Sequence, residues 1–122
     1  MSDVKNLIVA VDFDGTLVED IFPEIGKPIP HMIEAVKELK GMGTKIILWT
    51  CRNGEALIQA VDYCRNTLHI EFDAVNENLD ETKEEYGGDT RKVFADYYLD
   101  DKSAHIDKVL SAAVSRMSYN AV

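Results

Sequence analysis

The sequence predicts an α/β fold, a three-layer sandwich in which an open, mostly parallel sheet carries helices on both faces. Three observations predict it. Short, continuous apolar runs rich in β-branched residues recur along the chain, as in strands buried on both faces. Segments with helical apolar spacing separate them. The apolar runs stop at polar residues, as strands do where an open parallel sheet meets a ligand crevice. The 122 residues suit one domain, residues 1–122, around one core.

Leu7-Ile8-Val9-Ala10-Val11 reads as the first strand and ends at Asp12. A turn containing Asp14-Gly15-Thr16 follows. The proline- and glycine-punctuated stretch from Phe22 to Pro30 forbids a long regular element and predicts a loop or small flap. From His31, Ile33, Val36, Leu39 and Met42 recur at helical spacing, with Pro30 at or before the first turn and Gly41 and Gly43 near the end. This is the first helix. Lys45-Ile46-Ile47-Leu48-Trp49-Thr50 repeats the design of the first strand and runs into Cys51 and Arg52. A helix over about 54–67 follows, carrying Ala56, Leu57, Ala60, Val61 and Cys64 on one side. Ile70 to Val75 predicts a third strand.

The polar stretch Asn76 to Asp89, closed by Gly87-Gly88, predicts an irregular loop with at most a turn or two of helix. Its acidic run, Asp80 to Glu85, reads as a solvated loop face. A short helical turn near 90–94 precedes a fourth strand, Asp96 to Asp100. Ser103 caps a last helix through about residue 117, with Ile106, Val109, Leu110, Ala113 and Met117 inward. Strands alternating with helices form β-α-β units with right-handed crossovers, so the sheet is Rossmann-like.

Hydrophobic residues make up 46% of the chain and charged residues 29%, which excludes disorder, a collagen-like repeat and a coiled coil. Thirteen basic against twenty-two acidic side chains give a net charge of −9, so the field repels phosphate backbones and anionic lipid. Two cysteines, Cys51 and Cys64, make neither a disulfide framework nor a zinc site, which points to a reducing compartment. No apolar stretch approaches the roughly 20 residues that cross a bilayer, and the start lacks a secretory signal. The expectation is a cytoplasmic protein without a membrane partner.

Polar residues cluster at the expected carboxyl ends of the strands: Asp12 and Asp14 after the first, Thr50 and Arg52 after the second, Asp100 and Asp101 after the fourth. Carboxylates sharing one crevice repel each other unless a cation or a shared proton neutralises them. Oxygen donors without histidine or cysteine favour Mg²⁺, which keeps water and substrate phosphate in its shell. Of two aspartates at alternate positions, one can attack phosphorus while the other exchanges a proton with the leaving group and then with water.

Asp12-Phe13-Asp14-Gly15-Thr16-Leu17, directly after an apolar strand, resembles the first signature of the haloacid dehalogenase superfamily, whose members are mostly Mg²⁺-dependent phosphatases. Thr50, after Ile46-Ile47-Leu48-Trp49, resembles the second signature, Lys92 the basic third, and Tyr98-Leu99-Asp100-Asp101 the acidic fourth. The resemblance spans about residues 7–103. It implies that Asp12 is the nucleophile and forms an aspartyl-phosphate. It implies that Asp14 is the general acid and base, with its main-chain carbonyl on the metal. Thr50 and Lys92 would hold the phosphoryl oxygens, Asp12, Asp14 and Asp101 the Mg²⁺, with Asp100 and Thr16 in support. The aspartate at position 14 implies a phosphatase rather than a dehalogenase.

Some readings stay open. Arg91 competes with Lys92 for the third signature. Arg52 either grips substrate or forms a surface ion pair. His31, His69 and His105 read as helix starts or surface, Cys51 as a buried small residue, and Trp49 with Tyr97-Tyr98 as sheet packing rather than stacking platforms. The intervals from Leu17 to Lys45 and from Asn76 to Thr90 hold no cap domain, so the resemblance implies a capless form. Its crevice would accept a bulky substrate or be covered by a second copy of the chain. Gly88-Asp89-Thr90-Arg91-Lys92 resembles a stretch of polynucleotide 3′-phosphatases, but the charge favours a phosphorylated small molecule over nucleic acid. A noncatalytic phosphate- or metal-binding module is the competing class. A kinase-like phosphotransferase lacks its glycine-rich phosphate loop.

Overall fold

In the computed structural model, residues 6–90, 92–100 and 106–120 are described, residues 119 and 120 without their side chains. Four strands, β1 (Ile8–Val11), β2 (Lys45–Leu48), β3 (Ala74–Val75) and β4 (Tyr97–Leu99), form one sheet in the order β3-β2-β1-β4, parallel throughout. The helices are α1 (Pro30–Gly41), α2 (Gly54–Tyr63), α3 (Asp80–Tyr86) and α4 (Ile106–Asn120). The result is the expected open Rossmann-like sandwich, with no cap domain among the described residues.

Alternation along β1 divides the core in two. Val9 and Val11, with Ile46, Leu48 and Leu99, face α1, α2 and α4. Ile8, Ala10 and Ile47 face Leu79, Val93 and Ala95 on the other side, where α3 is the single helix among the described residues and buries Thr82. β1 is central and buried along its whole length, which is why its run is unbroken by polar residues. Each fully buried aliphatic side chain here contributes about 1.5–3 kcal/mol.

The edge strands are shorter than their apolar runs. Asp73 donates its N–H to the Ile46 carbonyl, and its carboxylate accepts the Ile46 N–H at 2.7 Å. Asp96 does the same to Ile8, its carboxylate accepting at 2.8 Å. These side chains take over ladder hydrogen bonds, so the sheet starts at residues 74 and 97 instead of 70 and 96. Ile70 instead donates to the Cys64 carbonyl and closes a π-helical turn, Cys64–Leu68, that continues α2 to His69 in the left-handed region.

Three other expectations are refined or corrected. The acidic run forms the turn or two of helix allowed for between Asn76 and Asp89 and is not a loop face: α3 fills two turns, carries Asp80 and Glu81 at its start, where the helix dipole favours them, and ends in Gly87 at φ 76°. No described residue between 90 and 94 is helical; that segment is held by side-chain hydrogen bonds instead. In α4, Val109 and Ala113 are buried as expected, but Met117 is exposed. Ser103, read as the cap of that helix, lies outside the described residues, as do Arg91, Asp101 and His105.

Candidate active site

The site lies where the strands end. The Asp12 N–H donates to the Leu99 carbonyl at 2.9 Å and the Trp49 N–H to that of Val11 at 2.9 Å, so the ladders carry one residue past β1 and β2. β2 and β3 continue from β1 on one side while β4 returns to the other, and Asp12 stands at that switch point. Its Oδ1 accepts the Phe13 N–H at 2.7 Å, which sets the carboxylate's direction.

After Asp12 the chain turns tightly. The Phe13 carbonyl accepts from the N–H groups of Thr16, Leu17 and Val18, and Gly15, at φ 84°, donates to Val18. Residues 17–29 then form the flap, with Glu19 donating to Lys27 and Ile29 to Leu17, both at 2.8 Å. Gly26 is required here: a Cβ would lie 2.0 Å from the Glu19 carbonyl oxygen.

Thr50 is fixed from two sides. Its N–H donates to Asn76 Oδ1 at 2.8 Å, and its hydroxyl accepts the Arg52 N–H at 3.2 Å, which leaves the hydroxyl proton to be donated elsewhere. Asn76, at φ 52° just beyond β3, was not among the residues singled out from the sequence, although the rule applied to the other strand ends points to it. Asn78, 1% exposed, was missed as well. Its amide donates to Asp89 at 2.8 Å and to Thr90 at 3.2 Å and accepts the Phe94 N–H at 2.7 Å, tying the Lys92 segment to the end of the sheet. The Asn78 main-chain N–H, which donates to the same carboxylate at 3.1 Å, and then the side-chain amide hold the Asp89 carboxyl below its ordinary value.

Arg52 is a buried anchor, neither a substrate grip nor a surface ion pair. It is 2% exposed, and Nε and Nη2 reach the two oxygens of Asp14 at 2.8 Å each. The remaining three N–H groups donate to the carbonyls of Pro23, Glu24 and Ala56. Phe13 and Phe22 pack on the guanidinium at 5.0 and 5.1 Å. Its hydrogen bonds to the Asp14 carboxylate hold Arg52 above its ordinary value, against the opposing effect of burial.

Two adjoining cavities meet at Asp12, Thr50 and Cys51. One, of about 480 Å³, also has Asp14, Asp20, Phe22 and Arg52 in its walls. The other, of about 400 Å³, is bounded by Ala10, Trp49, Tyr98, Leu99 and Asp100. Asp12, Asp14, Thr50 and Asp100 are thus brought together. Lys92 is not among them: it lines a third cavity with Tyr86 and Phe94, its ammonium 5.8 Å from the ring of Tyr98. Cys51 is exposed at the rim, not buried, because it lies past the end of the β2 ladder. Trp49 is 38% exposed and walls the crevice, whereas Tyr97 and Tyr98 pack against the two cores as expected.

The carboxylates suit a hard cation, and among the described residues no imidazole or second thiol lines either cavity. Among the described residues no group of three histidine, cysteine, aspartate or glutamate side chains is gathered to hold a metal ion, and Asp101 lies outside them. Thr16 is 2% exposed, and its Oγ1 has no hydrogen-bond partner among the described residues.

Fold and site together define an open-sheet α/β protein with an acidic crevice at the carboxyl ends of its strands. No family model and no curated protein matches the chain. Among solved structures, a conserved protein coded by a locus of Bacteroides thetaiotaomicron matches with a TM-score of 0.76 and 34% identity, over 92% of this chain and 93% of that one. This chain belongs to the same family as that conserved protein. Among the described residues, no helix is long and apolar enough to cross a membrane.

Proposed function

We propose that the chain is a Mg²⁺-dependent phosphomonoester hydrolase of the haloacid dehalogenase type, acting in the cytoplasm on a small phosphorylated molecule. The observation that carries this reading is the meeting of Asp12, Asp14 and Thr50, from two separate strand ends, in the walls of one cavity. Phosphate-monoester hydrolysis is among the slowest uncatalysed reactions, so alignment, charge neutralisation and proton transfer are all needed.

In the first step a carboxylate oxygen of Asp12 bonds to phosphorus as the bond from phosphorus to the leaving oxygen breaks, and Asp14, with one oxygen turned off the Arg52 fork and protonated, gives that leaving oxygen its proton. In the second, Asp14 takes a proton from water, whose oxygen bonds to phosphorus as the bond to Asp12 breaks. The Thr50 hydroxyl donates to a phosphoryl oxygen. Asp12, the main-chain carbonyl of Asp14 and Asp101 would hold Mg²⁺, supported by Asp100 and Thr16; when bound, it neutralises charge on the phosphoryl oxygens. Lys92 joins the phosphoryl group by leaving the ring of Tyr98.

Purified protein with Mg²⁺ releases phosphate from an aryl phosphate, and Asp12→Asn lowers that rate by at least about a thousandfold without unfolding the chain. Equal rates in the two proteins would leave a noncatalytic phosphate- or metal-binding module as the better reading.

A further inference from the structure

We infer that Trp49 and Tyr98 are the two walls of a slot that takes a flat aromatic leaving group, so that the preferred substrates are phosphate monoesters of planar rings. This rests on the reading of Asp12 as the group that captures phosphorus.

The slot follows from sheet geometry. Ala10 pairs with Ile47 of β2 and with Tyr98 of β4. Side chains alternate along a strand, so Ala10 and Asp12 project on the same side as Trp49, two residues past Ile47, and as Tyr98 and Asp100. All five line one cavity of about 400 Å³. Neighbouring strands lie about 4.8 Å apart, so the backbones of β2 and β4 stand about 10 Å apart across β1, with Trp49 two residues further along its strand than the position level with Tyr98. A flat ring that touches both walls at about 3.5 Å spans about 7 Å, which fits within that backbone separation. Ala10 is small enough to be the floor, and Asp12 closes the end nearest the chemistry.

Both walls are built before anything binds. The Trp49 N–H is fixed in the ladder by Val11, yet the residue is 38% exposed, an unusual position for an indole unless something covers it. The Tyr98 hydroxyl donates to the Val93 carbonyl and accepts the Ala95 N–H, which fixes the plane of its ring. Among the described residues, the charged groups in the lining are the carboxylates of Asp12 and Asp100, which favour an uncharged or cationic ring over a leaving group that carries further anionic charge. Stacking on an aromatic wall tolerates different ring chemistries, so the class is broad.

Trp49 is the sole tryptophan, so its fluorescence reports on the slot alone. In Asp12→Asn protein with Mg²⁺, phenyl phosphate and adenosine 5′-monophosphate change the emission saturably, while glycerol 3-phosphate and inorganic phosphate do not. In the parent protein, Trp49→Ala lowers kcat/KM for the two aromatic esters on the order of tenfold or more and that for glycerol 3-phosphate less than about threefold; Trp49→Phe restores most of the loss. An emission change with glycerol phosphate equal to that with the aromatic esters, or an equal loss on all esters in Trp49→Ala, would overturn the slot while leaving the hydrolase reading intact. Absence of turnover that depends on Asp12 would instead remove the hydrolase reading, with the emission titration still deciding whether the slot binds rings.

Discussion

Arg52 couples three stretches far apart in sequence: Asp14 after β1, the flap at Pro23 and Glu24, and the first turn of α2 at Ala56. A buried guanidinium is tolerable because all five of its donors are met, and removing either charge of such a pair strands the other. Arg52→Met is expected to cost about 3 kcal/mol, the low end for a broken buried pair, since the Asp14 side chain keeps 15% of its exposure. Arg52→Lys keeps the charge without the fork and recovers only part of the loss. Urea unfolding of both variants, of Asp14→Asn and of the double variant Arg52→Met/Asp14→Asn checks this. The double variant should be less destabilised than the sum of the singles by at least about 1 kcal/mol, because the orphaned partner is gone as well; strict additivity would mean the two side chains do not act as a pair. None of this is visible in the sequence around position 52. Position after a strand suggests substrate contact, and only the fold brings the flap carbonyls within reach.

At the scale of elements, what was legible is what has a long period. β1, β2, α1 and α4 are each set by apolar spacing that no neighbour overrides. The lengths of β3 and β4 are not, since they depend on whether Asp73 and Asp96 turn their carboxylates back onto Ile46 and Ile8. The segment through Lys92 is likewise governed by Asn78, distant in sequence from the groups it binds. The strand-end residues that line the crevice were legible in the sequence because position alone defines them, while their hydrogen-bond partners were not. The π-helical turn after α2 has a consequence of its own. It buries Cys64, and burial pushes that thiol from an ordinary 9.0 up to about 12. Between those values the unfolded chain releases a proton that the folded chain keeps, so this contribution to stability is whole below pH 9 and declines as pH rises toward 12. Cys64→Ala removes the decline, though the lost sulfur lowers stability at every pH. Denaturation midpoints at about pH 8 and about pH 10.5 should therefore show wild type losing more than the variant; parallel losses would mean that the thiol titrates alike in both states.

For the molecule as a whole, the net charge of −9 and the crevice pull the same way. Asp12, Asp14, Asp20 and Asp100 line the two adjoining cavities, and among the described residues the one cation in those linings, Arg52, already has both arms on Asp14. Carboxylates gathered in this way raise the free energy of the folded state unless a cation joins them. Asp12→Asn removes one charge, and its side-chain oxygen can still accept the Phe13 N–H. In chelator the variant should therefore be more stable than the parent by about 0.5–2 kcal/mol, which for a chain of this size is a rise in Tm of a few degrees. The gap should narrow at high monovalent salt, which screens partly exposed charges. Added Mg²⁺ should raise the Tm of the parent and close the gap, and should move the variant less, because ligand binding stabilises only the state that binds it. Thermal unfolding of both proteins in chelator, in chelator with salt and in Mg²⁺ separates these terms. A variant that melts at or below the parent in chelator would mean that the carboxylates do not strain one another, and the case for a cation among them would fail on stability alone, independently of any turnover.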